Sequence, residues 1–407
     1  MGILAISSSV VALAASGTIY TFKNKPAGIF PLGPLTADAQ GNFYGTAFNG
    51  GIAPRPNNDC SQTENGCGVV FKLTPSGAGE WAYSVIYEFK GAPSDGQDPT
   101  DTLAIDADGN IYGTTYYGGN PGTVYELSPL GNGSYWERVI HKFTGNAPGS
   151  ADGTLPTGLI VDSTGILYGT AVNGGTFNQG GVVWELSPTG DGSFTERILH
   201  NFTGPPDGEA PRGQLLLDAS GTLFGTTSYG GTYGGGTAYE LSPSSGGWTE
   251  TVLHSFGSSR DGCNPFASLV SDGAGNLYST TSGCASFGTV FELSPSGGAY
   301  TEKIIHYFLN MSAGEYPGPV VFDSAANLYG TTSQGGEFGF GTIFKLTPNG
   351  NGGWAESAVH NFTGNGDGAY PMYGVTIGSD GNVYGTTPYG GSAATYDGFG
   401  VVFRYKP

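Results

Sequence analysis

The chain has 407 residues, with 14 basic against 33 acidic side chains and a formal charge of -19. That charge would repel phosphate backbones and anionic lipid alike, which excludes nucleic acid as a partner. Gly 74 and Pro 25 approach the level usual for disorder, but 13% aromatic residues and a regular period oppose a solvated coil. A turn-rich, all-β repeat array that fills most of the chain is the expectation.

The first segment, "MGILAISSSVVALAAS" at residues 1–16, ends in small residues as a signal peptide does, but no Lys or Arg precedes Lys23. It is too short for a comfortable membrane span. Its apolar side chains, Ile3, Leu4, Ile6, Val10, Val11 and Leu13, are expected to be buried somewhere. They can fold over their own domain, be donated to a neighbouring subunit, or belong to an uncleaved signal. A lone strand, "GTIYTF" at Gly17 to Phe22, follows.

From there one phrase recurs seven times. Its first part carries an apolar anchor before a "DxxG" turn, at Leu35, Leu103, Leu159, Leu215, Leu269, Val320 and Val375. Its second carries an aromatic followed two residues later by Thr, at Tyr44, Tyr112, Tyr168, Phe224, Tyr278, Tyr329 and Tyr384, spaced by 68 and then 51 to 56 residues. Its third, "GTVFELSP" in its commonest form, alternates as a half-buried strand does around Phe71, Tyr125, Trp184, Tyr239, Phe291, Phe344 and Phe403. Its fourth ends at Phe89, Phe143, Phe202, Phe256, Phe308 and Phe362. Four short strands, here a to d, in a unit of about 50 residues are the signature of a β-propeller blade.

Seven a, b and c strands meet only six internal d strands, so the N-terminal strand must complete the last blade. The predicted fold is a seven-bladed β-propeller over residues 17–407, closed by that strand, with residues 1–16 as a separate apolar segment. The "DxxG" motifs at Asp38, Asp106, Asp162, Asp218 and Asp272 fit hairpin turns on one face. "DGxxP" motifs with Asp95, Asp152, Asp207, Asp261 and Asp367 fall on the other face, beside the Gly-rich b-to-c loops. Turn chemistry explains both sets more simply than a metal, so no metal site is expected. The Glu slot on strand d, Glu137, Glu196, Glu250, Glu302 and Glu356, is expected to guard an exposed edge against stray pairing.

All five histidines, His141, His200, His254, His306 and His360, occupy one slot of strand d, which Tyr20 and Tyr87 fill in the other two units. A residue repeated around a rim is poor material for the single unsymmetrical constellation that catalysis needs. No "GxSxG", "HExxH" or "CxxC" pattern occurs, and the Gly runs open no helix that could cradle phosphate. The chain is therefore expected not to be an enzyme and to need no cofactor. Cys60 and Cys67 share an insertion in the first b-to-c loop, while Cys263 and Cys284 lie in two loops of the same face of blade five. Proximity favours Cys60 with Cys67 and Cys263 with Cys284, and local pairs suggest an oxidising compartment.

The residues "LYGTT", "GTVFELSP" and "VLHSF" resemble the GloVer (Gloeo/Verruco) tandem-repeat family of secreted bacterial proteins, and the resemblance runs from about Ser16 to Pro407. It implies an extracellular or cell-surface location and a propeller-like array, and it brings no activity with it. Two functional readings follow. In the first, the protein is a structural component that self-assembles as a homo-oligomer or homopolymer through its N-terminal segment. In the second, aromatic residues of the b-to-c loops, Tyr116, Tyr117, Phe177, Tyr229, Tyr233, Phe338, Phe340 and Tyr389, offer flat surfaces for extracellular glycans.

Overall fold

The structure, a computed structural model, describes residues 16–23, 25–51, 60, 65–77, 79–100, 102–118, 121–145, 151–177, 180–258, 260–392 and 398–407. The apolar residues proposed for assembly, Ile3 to Leu13, lie outside the described residues. Seven antiparallel sheets follow one another as the blades of a propeller. Blade 3 is representative, with strands a to d at Thr154–Val161, Leu167–Asn173, Val182–Pro188 and Phe194–Asn201, paired in that order. In blade 7, strand a (Thr376–Ile377), b (Val383–Thr387) and c (Val401–Tyr405) are completed by the N-terminal strand Gly17–Thr21. Gly17 pairs with Arg404 and Thr21 with Val401, so both ends of the described chain are tied into one sheet. Among the described residues, no helix is long and apolar enough to cross a membrane.

Each strand forms for a readable reason. Strand b buries most of its length, as "LYGTA" does at 167–171, because its two faces touch the neighbouring blades. Strand c places its aromatic on one face and its apolar neighbours on the other, and Trp184, Tyr239 and Phe291 are fully buried. Strand d carries a one-residue bulge at the same place in every blade, between the partners of the strand c aromatic and the residue before it. A bulge bends a strand and re-aims the side chain that follows, here the His or Tyr of the repeated slot. The "DxxG" turns have the predicted chemistry. The Asp38 carboxylate accepts from the amides of Gln40 and Asn42, and its second oxygen takes the Tyr44 hydroxyl at 3.0 Å.

Seven apolar clusters form the core, one at each junction between blades. The cluster of Phe22, Leu35, Phe43, Phe71 and Val402 joins blade 7 to blade 1 in the same way that the others join their neighbours. Burying each such side chain contributes about 1.5–3 kcal/mol relative to exposure. The repeated Thr of strand b ties the blades near the axis. Thr46 donates to the carbonyl of Thr100 at 2.7 Å, Thr226 to Ala267 at 3.0 Å and Thr386 to Gly33 at 2.9 Å.

A second seam lies at the loop face. The Gly that opens strand c adopts positive φ in every blade, at Gly68, Gly122, Gly181, Gly236, Gly288, Gly341 and Gly400. At each of them the Pro that starts the next blade's strand a stands where a side chain would be. A Cβ on Gly341 would lie 2.8 Å from Cδ of Pro371, and one on Gly400 would lie 2.7 Å from Cδ of Pro31. The same Gly accepts the amide of the Phe that ends strand d, as in Phe202 to Gly181 at 3.0 Å and Phe22 to Gly400 at 3.1 Å.

The residue before each of these prolines is left-handed although none is Gly: Phe30, Asp98, Leu155, Ala210, Asn264, Tyr316 and Tyr370 have φ of 55° to 59°. Such a conformation costs on the order of 1–2 kcal/mol per residue. It is held by a hydrogen bond that its backbone N–H donates to a carbonyl of the previous blade's loop, as from Asn264 to Gly235 at 2.8 Å and from Phe30 to Phe399 at 3.1 Å. Gly341→Ala should therefore destabilise the protein by about 1–3 kcal/mol through overpacking and strain. Gly273→Ala, at a position with open space and no positive φ, should be neutral or slightly stabilising. Chemical denaturation of both variants checks this; equal effects would remove the seam as a constraint.

Candidate functional site

The b-to-c and d-to-a loops share one face, and the repeat presents aromatic side chains there in two slots. The first slot lies two residues after the second Thr of strand b. The hydroxyl of that Thr donates to the carbonyl of the slot residue, from Thr115 to Tyr117 at 2.7 Å, Thr227 to Tyr229 at 2.9 Å and Thr387 to Tyr389 at 2.9 Å. With the backbone so held, the rings point outward and are 48%, 51% and 38% exposed. The second slot lies in the Gly-rich loop, at Phe177, Tyr233 and Phe338, which are 54%, 63% and 49% exposed. Its neighbour is tied to strand d, with Thr176 and Glu337 donating their amides to Asn201 and Asn361 at 3.0 Å. Blade 4 alone carries a tyrosine in both slots, Tyr229 and Tyr233.

The remaining aromatics expected here are placed differently. Tyr116 is half-buried and meets Phe48 edge-on at 6.1 Å. Phe340 packs with Tyr370 at 5.8 Å, Tyr370 with Tyr389 at 6.0 Å, and Tyr389 with Phe30 at 5.3 Å, a chain of rings from blade 6 to blade 1. Two of its members, Phe30 and Tyr370, are the left-handed residues at the entry to strand a. On the same face Cys60 is bonded to Cys67 and Cys263 to Cys284, each with Cα atoms 5.4 Å apart. The two disulfides suit an oxidising environment. Asp98 takes the left-handed slot in blade 2. Burial pushes its carboxyl up to about 6, against the bond it accepts from the Gln97 side chain.

The histidine slot and the "DGxxP" aspartates, read separately in the sequence, meet in the structure. His200 lies 3.2 Å from Asp207, His254 3.1 Å from Asp261 and His360 3.0 Å from Asp367. At the first junction Tyr87 takes the same place, donating toward Asp95 at 2.8 Å and Glu137 at 3.1 Å. The signal for the three His pairs was a constant separation of seven residues between His and Asp. The Glu slot of strand d is corrected as well. Instead of guarding an exposed edge, Glu137, Glu250 and Glu302 are half-buried and turned toward the preceding blade's aspartate. Burial, with the charges of Asp95, Asp207 and Asp261 adding to it, raises their carboxyls to about 7.

Comparison with known proteins places the chain more firmly. The repeat described as Gloeobacter/Verrucomicrobia repeat matches residues 10–216, 58–286 and 282–407. No curated protein matches. Among solved structures, a putative oxidoreductase (glucose dehydrogenase) from Thermus thermophilus is 17% identical, with 74% of this chain and 95% of that chain covered and a TM-score of 0.46. A gluconolactonase from Xanthomonas campestris is 16% identical over 80% and 94% of the two chains, at 0.43. The PQQ-bound aldose sugar dehydrogenase from Streptomyces coelicolor is 14% identical over 76% and 93%, at 0.48. These proteins are themselves described as enzymes, and the expectation that the chain is not an enzyme is withdrawn. At such identities and scores they lend it no particular activity.

The Glu slot yields a pH test. A carboxyl whose folded-state value is raised destabilises the fold when it ionises, so the cost is absent below about pH 4.5, grows toward pH 7 and is complete above it. Glu302 faces Asp261 and, through it, His254. Glu302→Gln should therefore melt higher than the parent protein at pH 8, with the difference vanishing near pH 4.5. Comparing the two proteins at each pH cancels the opposing titration of the half-buried His306. A difference that does not change with pH would mean that Glu302 is not held above its ordinary value.

Proposed function

We infer, for a chain that belongs to the Gloeobacter/Verrucomicrobia repeat family, that the loop face binds extracellular polysaccharide. The observation behind this reading is the six exposed rings in two equivalent slots, Tyr117, Tyr229 and Tyr389 in one and Phe177, Tyr233 and Phe338 in the other. A soluble protein gains nothing in stability from holding large rings in water, and a recurrent set on one face is the kind of exposed apolar surface that marks a binding site. The C–H faces of pyranose rings stack on such side chains, and the Tyr hydroxyls are free to take up sugar hydroxyls.

Net charge narrows the class of glycan. At -19 the protein repels polyuronates and sulfated chains, so a neutral polysaccharide is the proposed ligand. A repeated slot favours a polymer, since weak contacts on several blades add through effective concentration. An extracellular location accords with the two disulfides. Binding ranks ahead of self-assembly because it rests on surface that the structure describes, whereas assembly rests on Ile3 to Leu13.

Affinity electrophoresis through gels containing neutral and acidic polysaccharides tests the reading. Retardation should appear with at least one neutral polymer. Tyr229→Ala combined with Tyr233→Ala should weaken it about tenfold, equivalent to ~1.4 kcal/mol, without lowering the melting temperature. Retardation by acidic polymers alone, or none that depends on these tyrosines, would contradict it.

A further inference from the structure

Although Oε1 of Glu250 and Nε2 of His306 are also without a hydrogen-bond partner at other junctions, the junction between blades 2 and 3 departs from the three hydrogen-bonded His–Asp pairs. There Nε2 of His141 stands 3.7 Å from Oδ2 of Asp152 and 3.3 Å from Oε1 of Glu196. The equivalent His–Asp pairs at 3.0–3.2 Å are hydrogen-bonded, but Nε2 of His141 and Oε1 of Glu196 have no hydrogen-bond partner although both are closed to solvent. Two unsatisfied polar atoms facing one another across a blade junction are costly unless something bridges them.

The three side chains are also held in place. Both oxygens of Asp152 accept from the amide and the hydroxyl of Thr144, at 2.9–3.1 Å. The His141 ring stands edge-on to Phe143, with centroids 4.7 Å apart. Glu196 projects from strand d of the next blade, so one group comes from each side of the junction and one from the loop between. One donor atom from each residue lies within 4.8 Å of the other two.

We propose that His141, Asp152 and Glu196 bind a divalent cation of the zinc class, bridging blades 2 and 3. Bonds of about 2.0–2.2 Å to nitrogen and oxygen place neighbouring ligand atoms of a tetrahedron roughly 3.3–3.6 Å apart, close to the two separations found. Two carboxylates and a neutral imidazole neutralise a dication, and one imidazole with two oxygen donors suits a borderline metal better than calcium, which takes oxygen ligands alone.

The ligand atoms of His200, Asp207 and Glu250 also lie within 4.8 Å of one another. Its His–Asp pair is already closed by a hydrogen bond at 3.2 Å, so it serves as the internal comparison. The sequence marks the distinction by spacing, because Asp152 follows His141 by 11 residues whereas Asp follows His by seven at the three hydrogen-bonded pairs.

The test uses the full chain freed of metal with a chelator and titrated with Zn²⁺ by calorimetry. One equivalent should bind, and binding should raise the melting temperature. Glu196→Gln, which keeps the shape and removes one anionic ligand, and His141→Ala should each weaken binding by more than the roughly 10–100-fold that loss of an outer partner costs; His200→Ala should not. In the parent protein, one equivalent of Zn²⁺ should shift the ring resonances of His141 and leave those of His200 in place in NMR spectra, a readout that needs no folded variant. Absence of binding, unchanged affinity in Glu196→Gln, equal loss in His200→Ala, or unshifted His141 resonances would each overturn the site.

Discussion

Everything in this propeller depends on how closely two backbones can approach where one blade meets the next. The Gly that opens each strand c has no room for a side chain because the next blade's Pro is already there. That Gly also accepts the amide of the Phe that ends strand d. One residue thus fixes three strands: its own, the outer strand of its blade and the inner strand of its neighbour. The left-handed residue before each Pro is the counterpart of this approach. Its strain is sustained because the Pro ring, the backbone bond to the previous loop and the apolar cluster below determine its position together.

The functional face follows from the same construction. In blades 4 and 6 the loop that leaves strand b is clamped at both ends, by the Thr hydroxyl on one side and the Gly on the other, so side chains between them are displayed on a held frame. A residue in such a slot that cannot turn inward is solvent-exposed, and in six cases it is a Tyr or a Phe. The blade junctions beneath carry imidazole, phenol and carboxylate groups at regular intervals. Small departures in spacing, as at His141, change what those groups can hold. A seven-fold scaffold therefore need not have seven equivalent sites.

Much of the fold was legible in the sequence because the repeat wrote it seven times. The Tyr–Gly–Thr phrase and the alternation of "GTVFELSP" mark strands by period alone, and the missing seventh d strand required the N-terminal one to close the ring. The pairing of Cys263 with Cys284 followed from placing two loops on one face. The functional chemistry was less legible, because it depends on which residues of successive repeats meet. Glu302 reads as an edge charge until the blade before it is known to present Asp261. The left-handed residues were hidden for another reason. They are Phe, Asp, Leu, Ala, Asn and Tyr, which share no chemistry, and only the Pro that follows each of them is constant. The exclusion of catalysis does not stand on the sequence, because absence of a motif is a weak argument in a fold whose sites are assembled from loops of several blades.

Hydrogen exchange at the amides of the seven seam phenylalanines would test the closed ring most directly. Phe22 donates to Gly400 between the one pair of c and d strands that are far apart in sequence, while Phe202 donates to Gly181 between c and d strands that follow one another directly. A closed ring held by identical seams predicts protection of the Phe22 amide comparable to that of Phe202, with both exchanging only through large-scale unfolding. Fast exchange at Phe22, with the other six protected, would contradict closure and make the N-terminal strand an appendage to an open array.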